Sequence, residues 1–156
     1  MSTDKKTARD EIVAAYYEAI ESFKRHKEQG AILVDSLIVQ SMDDFGFVRN
    51  ETWRLDNDYF RRIGDGVALT PSATMSADGV VHCRLIMIIR HDTKNFTEIP
   101  VVIRVVSLDG DAGVVVGDST EPIRVNQSLP GYIEPFKERF LERLKAAVRG
   151  SVAPFL

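Results

Sequence analysis

Histidine and cysteine side chains come first among the residues that could do chemistry. The chain holds three histidines, His26, His82 and His91, and one cysteine, Cys83. On one regular strand, His82 and His91 point to opposite faces, and none of the HxH, HxxxH or CxxC spacings of metal sites occurs. Cys83 shares its side of a predicted strand with apolar residues, which favours a buried, inert thiol over a nucleophile. The sequence therefore predicts no metal site and no reactive thiol.

Acidic pairs are the second candidate, because converging carboxylates bind magnesium or transfer protons. They occur at Asp43-Asp44, at Asp56 with Asp58, and at Asp109 with Asp111. Most lie beside glycine or at predicted helix starts, where turns and caps account for them. The phosphate-binding motifs GxGxxG and GxxxxGK and the nucleophile motif GxSxG are absent from the sequence. We therefore predict no catalytic residue and no cofactor.

Arginines in two strongly apolar strands are the third candidate. Arg84, Arg90 and Arg104 have even parity, and Arg124 follows on a later strand whose register the sequence leaves open. If the registers agree, guanidinium groups frame an apolar centre, as at an interface whose partner has an acidic rim. Cross-strand pairing with Asp92, Glu98 or Glu121 is the alternative, and nucleic acid fits less well because exposed aromatics are missing. The candidate interface is Arg84, Ile86, Ile88, Arg90, Val102, Arg104 and Val106.

The two strands that would position these residues are apolar on both faces. In the run from Val80 to Arg90 the odd positions are all apolar, and the even side still carries Ile86 and Ile88. The run from Ile99 to Val106 repeats this arrangement. A half-solvated strand alternates apolar with polar residues, so both faces of these strands are predicted to be covered.

Helical periodicity marks both ends of the chain. From Thr7 to Gln29, the residues Ile12, Tyr16, Ala19 and Phe23 recur at helical spacing, and Gly30 is a natural stop. Ala31–Gln40 is ambiguous: a helical stripe is visible, but β-branched residues and the preceding glycine favour a strand. The last helix is predicted from Tyr132 to Arg149, closed by Gly150.

Short strands and turns fill the middle of the chain. Asp109-Gly110 is a hairpin signal, since this pair adopts positive φ cheaply, and Pro71 favours an edge position for its strand. The further predicted elements are a strand over Phe45–Leu55, a short helix over Leu55–Ile63, a weak strand over Val67–Met75, a return strand over Val114–Val116 and a strand over Ile123–Val125.

The fold class that follows is α+β: a largely antiparallel, twisted sheet of about five or six strands with an N-terminal and a C-terminal helix packed on it. We predict one domain over residues 1–156, with residues 1–6 as a flexible arm. The last helix is expected to cover one side of the sheet. The other side could be covered by the first helix or by a second copy of the chain, or the sheet could curl around one helix and leave an apolar ligand pocket.

Composition narrows the class of protein. The chain is 156 residues long, 44% hydrophobic and 28% charged, with a formal net charge of -3. This balance gives no general attraction to nucleic acid or to an anionic membrane. A single cysteine, a polar start and the lack of a long apolar run predict a cytoplasmic protein.

A non-enzymatic protein-binding module of the adaptor or chaperone type is the function these observations predict. It would act through a sheet face as a homodimer, and its partners would be a second copy and possibly another protein. The alternative is a small-molecule binding protein or enzyme with a cavity between sheet and helix. Its candidate ligand-binding residues are Trp53, Tyr59, Phe60, Arg84 and Arg90.

Overall fold

The computed structural model of this chain describes residues 7–56, 67–70 and 73–152. Within them, a long N-terminal helical region precedes a sheet, and one helix follows it. The helical elements are α1 (Ala8–Leu33), a π-helical segment (Val34–Val39), α2 (Gln40–Asp44) and α3 (Ile133–Val152). The strands are β1 (Trp53–Leu55), β2 (Val67–Thr70), β3 (Ala73–Met75), β4 (Val81–Arg90), β5 (Phe96–Leu108), β6 (Asp111–Val116) and β7 (Ile123–Val125).

The seven described strands form one antiparallel sheet, six of them in the order β2-β3-β4-β5-β6-β7. β1 and β3 both pair with the same edge of β4. β1 lies opposite residues 85–87 of β4, and β3 lies opposite residues 81–83. The single strand predicted over Val67–Met75 is divided into two paired strands, β2 and β3. Only β2 lies at the margin of the sheet, whereas β3 lies between β2 and β4. Turn chemistry sets the register of β5 and β6: Asp109 and Gly110 have φ of 47° and 92°, and Leu108 lies opposite Asp111. The α+β class with an antiparallel sheet is confirmed.

One face of the sheet, here called the core face, carries the odd residues of β4 and β5 and every buried helical side chain of the core. Phe140 of α3 is fully buried and stacks on Phe136 at 5.2 Å and on Phe45 at 6.1 Å between ring centroids. Leu37 and Ile38 of the π-helical segment join the same cluster. The opposite face, the outer face, receives none of the described helices.

The strand prediction for Ala31–Gln40 is wrong, because this segment continues the helix. Gly30 does not end α1 but lies within it, where a Cβ atom would stand 2.8 Å from Val81 Cγ2 and 2.9 Å from Leu69 Cδ1. The glycine therefore lets the helix backbone approach the sheet. The residues after it, Leu33, Val34, Leu37, Ile38 and Met42, then reach the core at a spacing of about four, which the β-branched composition had obscured.

The first helix does not cover the second side of the sheet. The stripe predicted as its buried side is exposed: 69% of Ile12, 60% of Tyr16 and 42% of Phe23 remain accessible. α1 is anchored through its last turns on the core face, beside β2 and β3. Its N-terminal residues, from Ala8 to Ala19, are all exposed.

Smaller corrections concern element ends. Of the strand predicted over Phe45–Leu55, only Trp53–Leu55 forms, and Phe45 follows α2. Helix α3 continues past Gly150 to Val152, because a glycine in a helix costs only about 1 kcal/mol. Leu55 belongs to β1, and the remainder of the short helix predicted to Ile63 lies, apart from Asp56, outside the described residues. The predicted arm of residues 1–6 and Pro71 also lie outside them.

Candidate protein-interaction surface

All seven residues of the predicted interface lie on the outer face. In the antiparallel pair of β4 and β5, even residues oppose even residues: Arg84 faces Val102, Ile86 faces Pro100, and Arg90 faces Phe96. A five-residue loop holds this register. In it, the Asp92 Oδ1 accepts the backbone N–H groups of Lys94 and Asn95 at 2.8 Å each.

The apolar centre of this surface is partly shielded from solvent. Ile86 is 4% exposed, and Ile88, Val102 and Val106 are half-buried. Arg104 lies between Val102 and Val106 on the outer side of β5, so the centre is divided rather than continuous. The outer face of the central strands is thus neither polar nor freely open to water.

Sequence reasoning missed several members of the surface. Val115 lies opposite Arg104 and is 7% exposed, Pro100 lies opposite Ile86, and Arg54 of β1 flanks Ile86 on its other side. Arg124, left without a register, lies on this face opposite Gly113. The Asp109-Gly110 turn could have placed Val115 on the outer face, because a two-residue hairpin loop fixes every cross-strand pair that follows it.

The arginines of this surface fall into two groups. Arg54 binds Glu98 at 2.7 Å, Arg84 binds Asp56 at 3.0 Å, and Arg124 binds Asp111 at 2.9 Å. Arg90 and Arg104 hold no carboxylate within the described ranges; Arg90 stands 5.8 Å from the Phe96 ring centroid. Of the predicted partners, Glu98 pairs with Arg54, Asp92 holds the loop, and Glu121 lies 3.5 Å from Arg143. The outer face consequently carries excess positive charge.

A polar cluster at the β3–β4 turn was also missed by the sequence reasoning. The Ser76 hydroxyl donates to Asp78 and lies 3.1 Å from His82 Nε2, while His82 Nδ1 has no hydrogen-bond partner among the described residues. Burial lowers the pKa of His82, the Asp78 carboxylate opposes this shift, and Arg104 adds to it. The serine lies between acid and imidazole, so the imidazole is not oriented by the carboxylate as nucleophile activation requires. The cluster stabilises the turn.

Cys83 is fully buried on the core face, where burial raises the pKa of its thiol to about 12. A thiol with so high a pKa stays protonated and unreactive near neutral pH. The described part of the chain contains no group of three or more metal-ligating side chains.

The residues predicted for a ligand pocket are not brought together. Trp53 is fully buried on the core face, whereas Arg84 and Arg90 lie on the outer face. Tyr59 and Phe60 lie outside the described residues. A cleft of about 510 Å³ lies instead where the C-terminal half of α3 passes β5 and the loop after β6. Arg143 lines it and donates to Ser119 Oγ at 2.7 Å.

Comparison with known protein families, curated proteins and solved structures gives no match for this chain. Among the residues described, no helix combines the length and the hydropathy that crossing a bilayer requires.

Proposed function

We propose that this protein is a non-enzymatic, cytoplasmic protein-binding module that works as a homodimer, and that its outer sheet face receives a partner protein. The observation that carries the proposal is an apolar centre framed by arginines on the face that none of the described helices covers. Interfaces combine such an apolar centre with a charged rim, and arginine is enriched in them. The lone, buried Cys83 suits a reducing compartment.

Charge favours a partner other than a second copy for this face. Arg90 and Arg104 are exposed and hold no carboxylate among the residues described, so a partner with acidic groups around an apolar patch would complement them. Two copies meeting face to face would place these arginines close to one another, and like charges across an interface disfavour association. The outer face therefore fits a protein with an acidic rim.

Quantitative co-purification from the cells that make the protein tests this role. Val102→Asp places a carboxylate in the centre of the face, and Arg104→Glu reverses its rim charge. Ser107→Asp adds the same carboxylate at an exposed position farther along β5 and is the matched control. We expect one or a few proteins to be lost with the first two variants and retained with the third. Identical sets for all variants would contradict the proposal.

The cleft beside α3 supports a second candidate function, the binding of a small anionic molecule. Its volume of about 510 Å³ lies within the range of ligand sites, and Arg143, which also contacts Ser119 and the exposed Glu121, supplies a cation. A thermal-shift screen of small carboxylates and phosphates tests it, because a bound ligand raises the Tm with its concentration. The shift should disappear in Arg143→Gln; no shift with any compound would exclude these ligand classes.

A further inference from the structure

Strand β5 is longer than its neighbours, and one of its two edges is open over the first half of the strand. β4 pairs with residues 96–105 of β5 along one edge, whereas β6 pairs only with residues 103–108 along the other. Next to these pairs, Gly117 donates its N–H to the Val102 carbonyl at 2.7 Å. No described strand pairs with this second edge over residues 96–101. The first half of β5 is therefore a sheet edge that can accept another strand.

The register shows which backbone groups point to this open edge. Successive residues of an antiparallel strand direct their N–H and C=O groups to opposite edges. Val102 accepts from Gly117 on the β6 side, so Glu98 and Pro100 direct their groups to the same side. The groups on offer are the Glu98 N–H and C=O, the Pro100 C=O and the Val102 N–H. None of them has a hydrogen-bond partner among the described residues, and Glu98 and Pro100 are exposed.

The cleft of about 510 Å³ lies directly beside this edge. Residues 100–102 of β5 form one wall, and the opposite wall is formed by small residues of α3, namely Ala146, Ala147, Gly150 and Ser151. The loop after β6 closes one end, where a Cβ atom added to Gly117 would stand 3.5 Å from Ala147 Cβ. Ile99 and Val101 of β5 point to the core face, the side of α3, and are 6% and 2% exposed. A strand added to the edge would direct every second side chain to this side.

We propose that the partner protein contributes an extended segment that adds a strand to the open edge of β5 and places alternate apolar side chains in the cleft. This inference rests on the protein-binding role of the proposed function and names the form of the bound segment. It also joins the cleft to the outer face, because the remaining side chains of the segment would lie on the outer face beside Val102.

The partial charges of the edge favour this occupant over others. Two N–H donors and two carbonyl acceptors, on residues that repeat at steps of about 6.8 Å, complement an extended backbone. A small anion would use only the donors. A second copy fits less well at this edge, because its own β5 brings a second Pro100 and therefore lacks a second donor.

A peptide probe tests the added strand on the wild-type chain. Selection from a random-peptide phage library supplies the sequence, and fluorescence anisotropy of the synthetic peptide measures its binding. We expect enriched sequences to alternate apolar with polar residues. In an added strand only every second peptide N–H faces β5, so N-methylation of that set should weaken binding by about tenfold or more. N-methylation of the other set is the matched control and should have little effect. No enrichment, or equal binding of both methylated peptides, would overturn the proposal.

Substitutions at Glu98 test the same edge from the side of the protein. Glu98→Pro removes the N–H at the open edge and spares the β4 ladder, which uses the odd residues of β5. It should weaken binding of the peptide by about tenfold. Glu98→Ala removes the same carboxylate but keeps the N–H, so it should bind as the wild type does. Circular dichroism confirms that both variants fold. Equal binding by all three chains would contradict the added strand.

Hydrogen exchange measured by NMR tests the edge without any substitution. In the free chain the Glu98 amide should exchange faster than those of Ile99 and Val101, and the peptide should slow it. Slow exchange of Glu98 in the free chain would mean that this chain or a second copy already occupies the edge, and would overturn the proposal. If co-purification responds to Arg104→Glu but not to Glu98→Pro, the added strand is wrong while the binding role of the outer face stands.

Discussion

Gly30 and Gly150 both lie inside α-helices but in opposite surroundings, and this difference yields a quantitative prediction. Replacement of a helical glycine by alanine normally stabilises a protein by up to about 1 kcal/mol. At Gly150 an added Cβ meets nothing within 4 Å. At Gly30 it meets Val81 Cγ2 at 2.8 Å and Leu69 Cδ1 at 2.9 Å.

The crowding at Gly30 opposes the gain in helix propensity. Carbon atoms pack best at about 3.5–4.0 Å, so the neighbours must move by roughly 0.7 Å. Leu69 can rotate its terminal methyl group, but Val81 is β-branched and only 4% exposed. Overpacking of this kind costs about 1–3 kcal/mol. We therefore expect Gly30→Ala to lower the free energy of unfolding by about 0–2 kcal/mol.

Urea denaturation of the two variants measures the effect. Gly150→Ala should raise the free energy of unfolding by about 0.5–1 kcal/mol, because it lies near the helix end. The effect of alanine on the unfolded chain is common to both variants, so the difference reports crowding. We expect a difference of about 1–3 kcal/mol, or about 2–4 °C in Tm for each kcal/mol. Equal stabilisation by both substitutions would refute the close packing of α1 on the sheet.

Three further predictions concern the core and the polar cluster. Phe140→Ala should cost about 3–5 kcal/mol in urea denaturation, because Phe140 is fully buried and stacks on Phe136; a loss below about 1 kcal/mol would contradict the docking of α3. The Cys83 thiol should resist a thiol reagent at pH 8 and react on unfolding, since its pKa is raised to about 12; rapid labelling of the native protein would contradict this. The pKa of His82 is lowered in the folded state, so the unfolded chain binds more protons and the free energy of unfolding should fall as the pH drops below 6.5. His82→Gln should flatten this part of the plot of unfolding free energy against pH. An unchanged slope would contradict the assignment of this pH dependence to His82.

The central sheet could be predicted from the sequence because its signals are local. Apolar runs defined β4 and β5, and Asp109-Gly110 defined the turn into β6. The segment after Gly30 could not be predicted in this way. Its residues are β-branched, and only the tertiary approach of the helix to Val81 explains why a glycine lies inside a helix rather than after it.

The composition of the candidate surface was predictable in part. Parity placed Arg84 and Ile86 on one face, and the register confirms that they share it. The pairing of Arg54 with Glu98 could not be predicted, because β1 joins β4 from a distant part of the sequence. Nor could periodicity tell that the stripe of α1 would stay exposed, since a helical pattern identifies an apolar side but not what covers it.

A photo-crosslinking amino acid at position 88, an apolar, half-buried position of the outer face, tests most directly whether this face meets another protein. The same group at the exposed position of Glu138 on α3 is the control. Irradiation in the cells that make the protein should join position 88, but not position 138, to one defined second protein, and Arg104→Glu should reduce the yield. Attachment only within the same chain, or equal labelling from both positions, would contradict a binding role for the outer face.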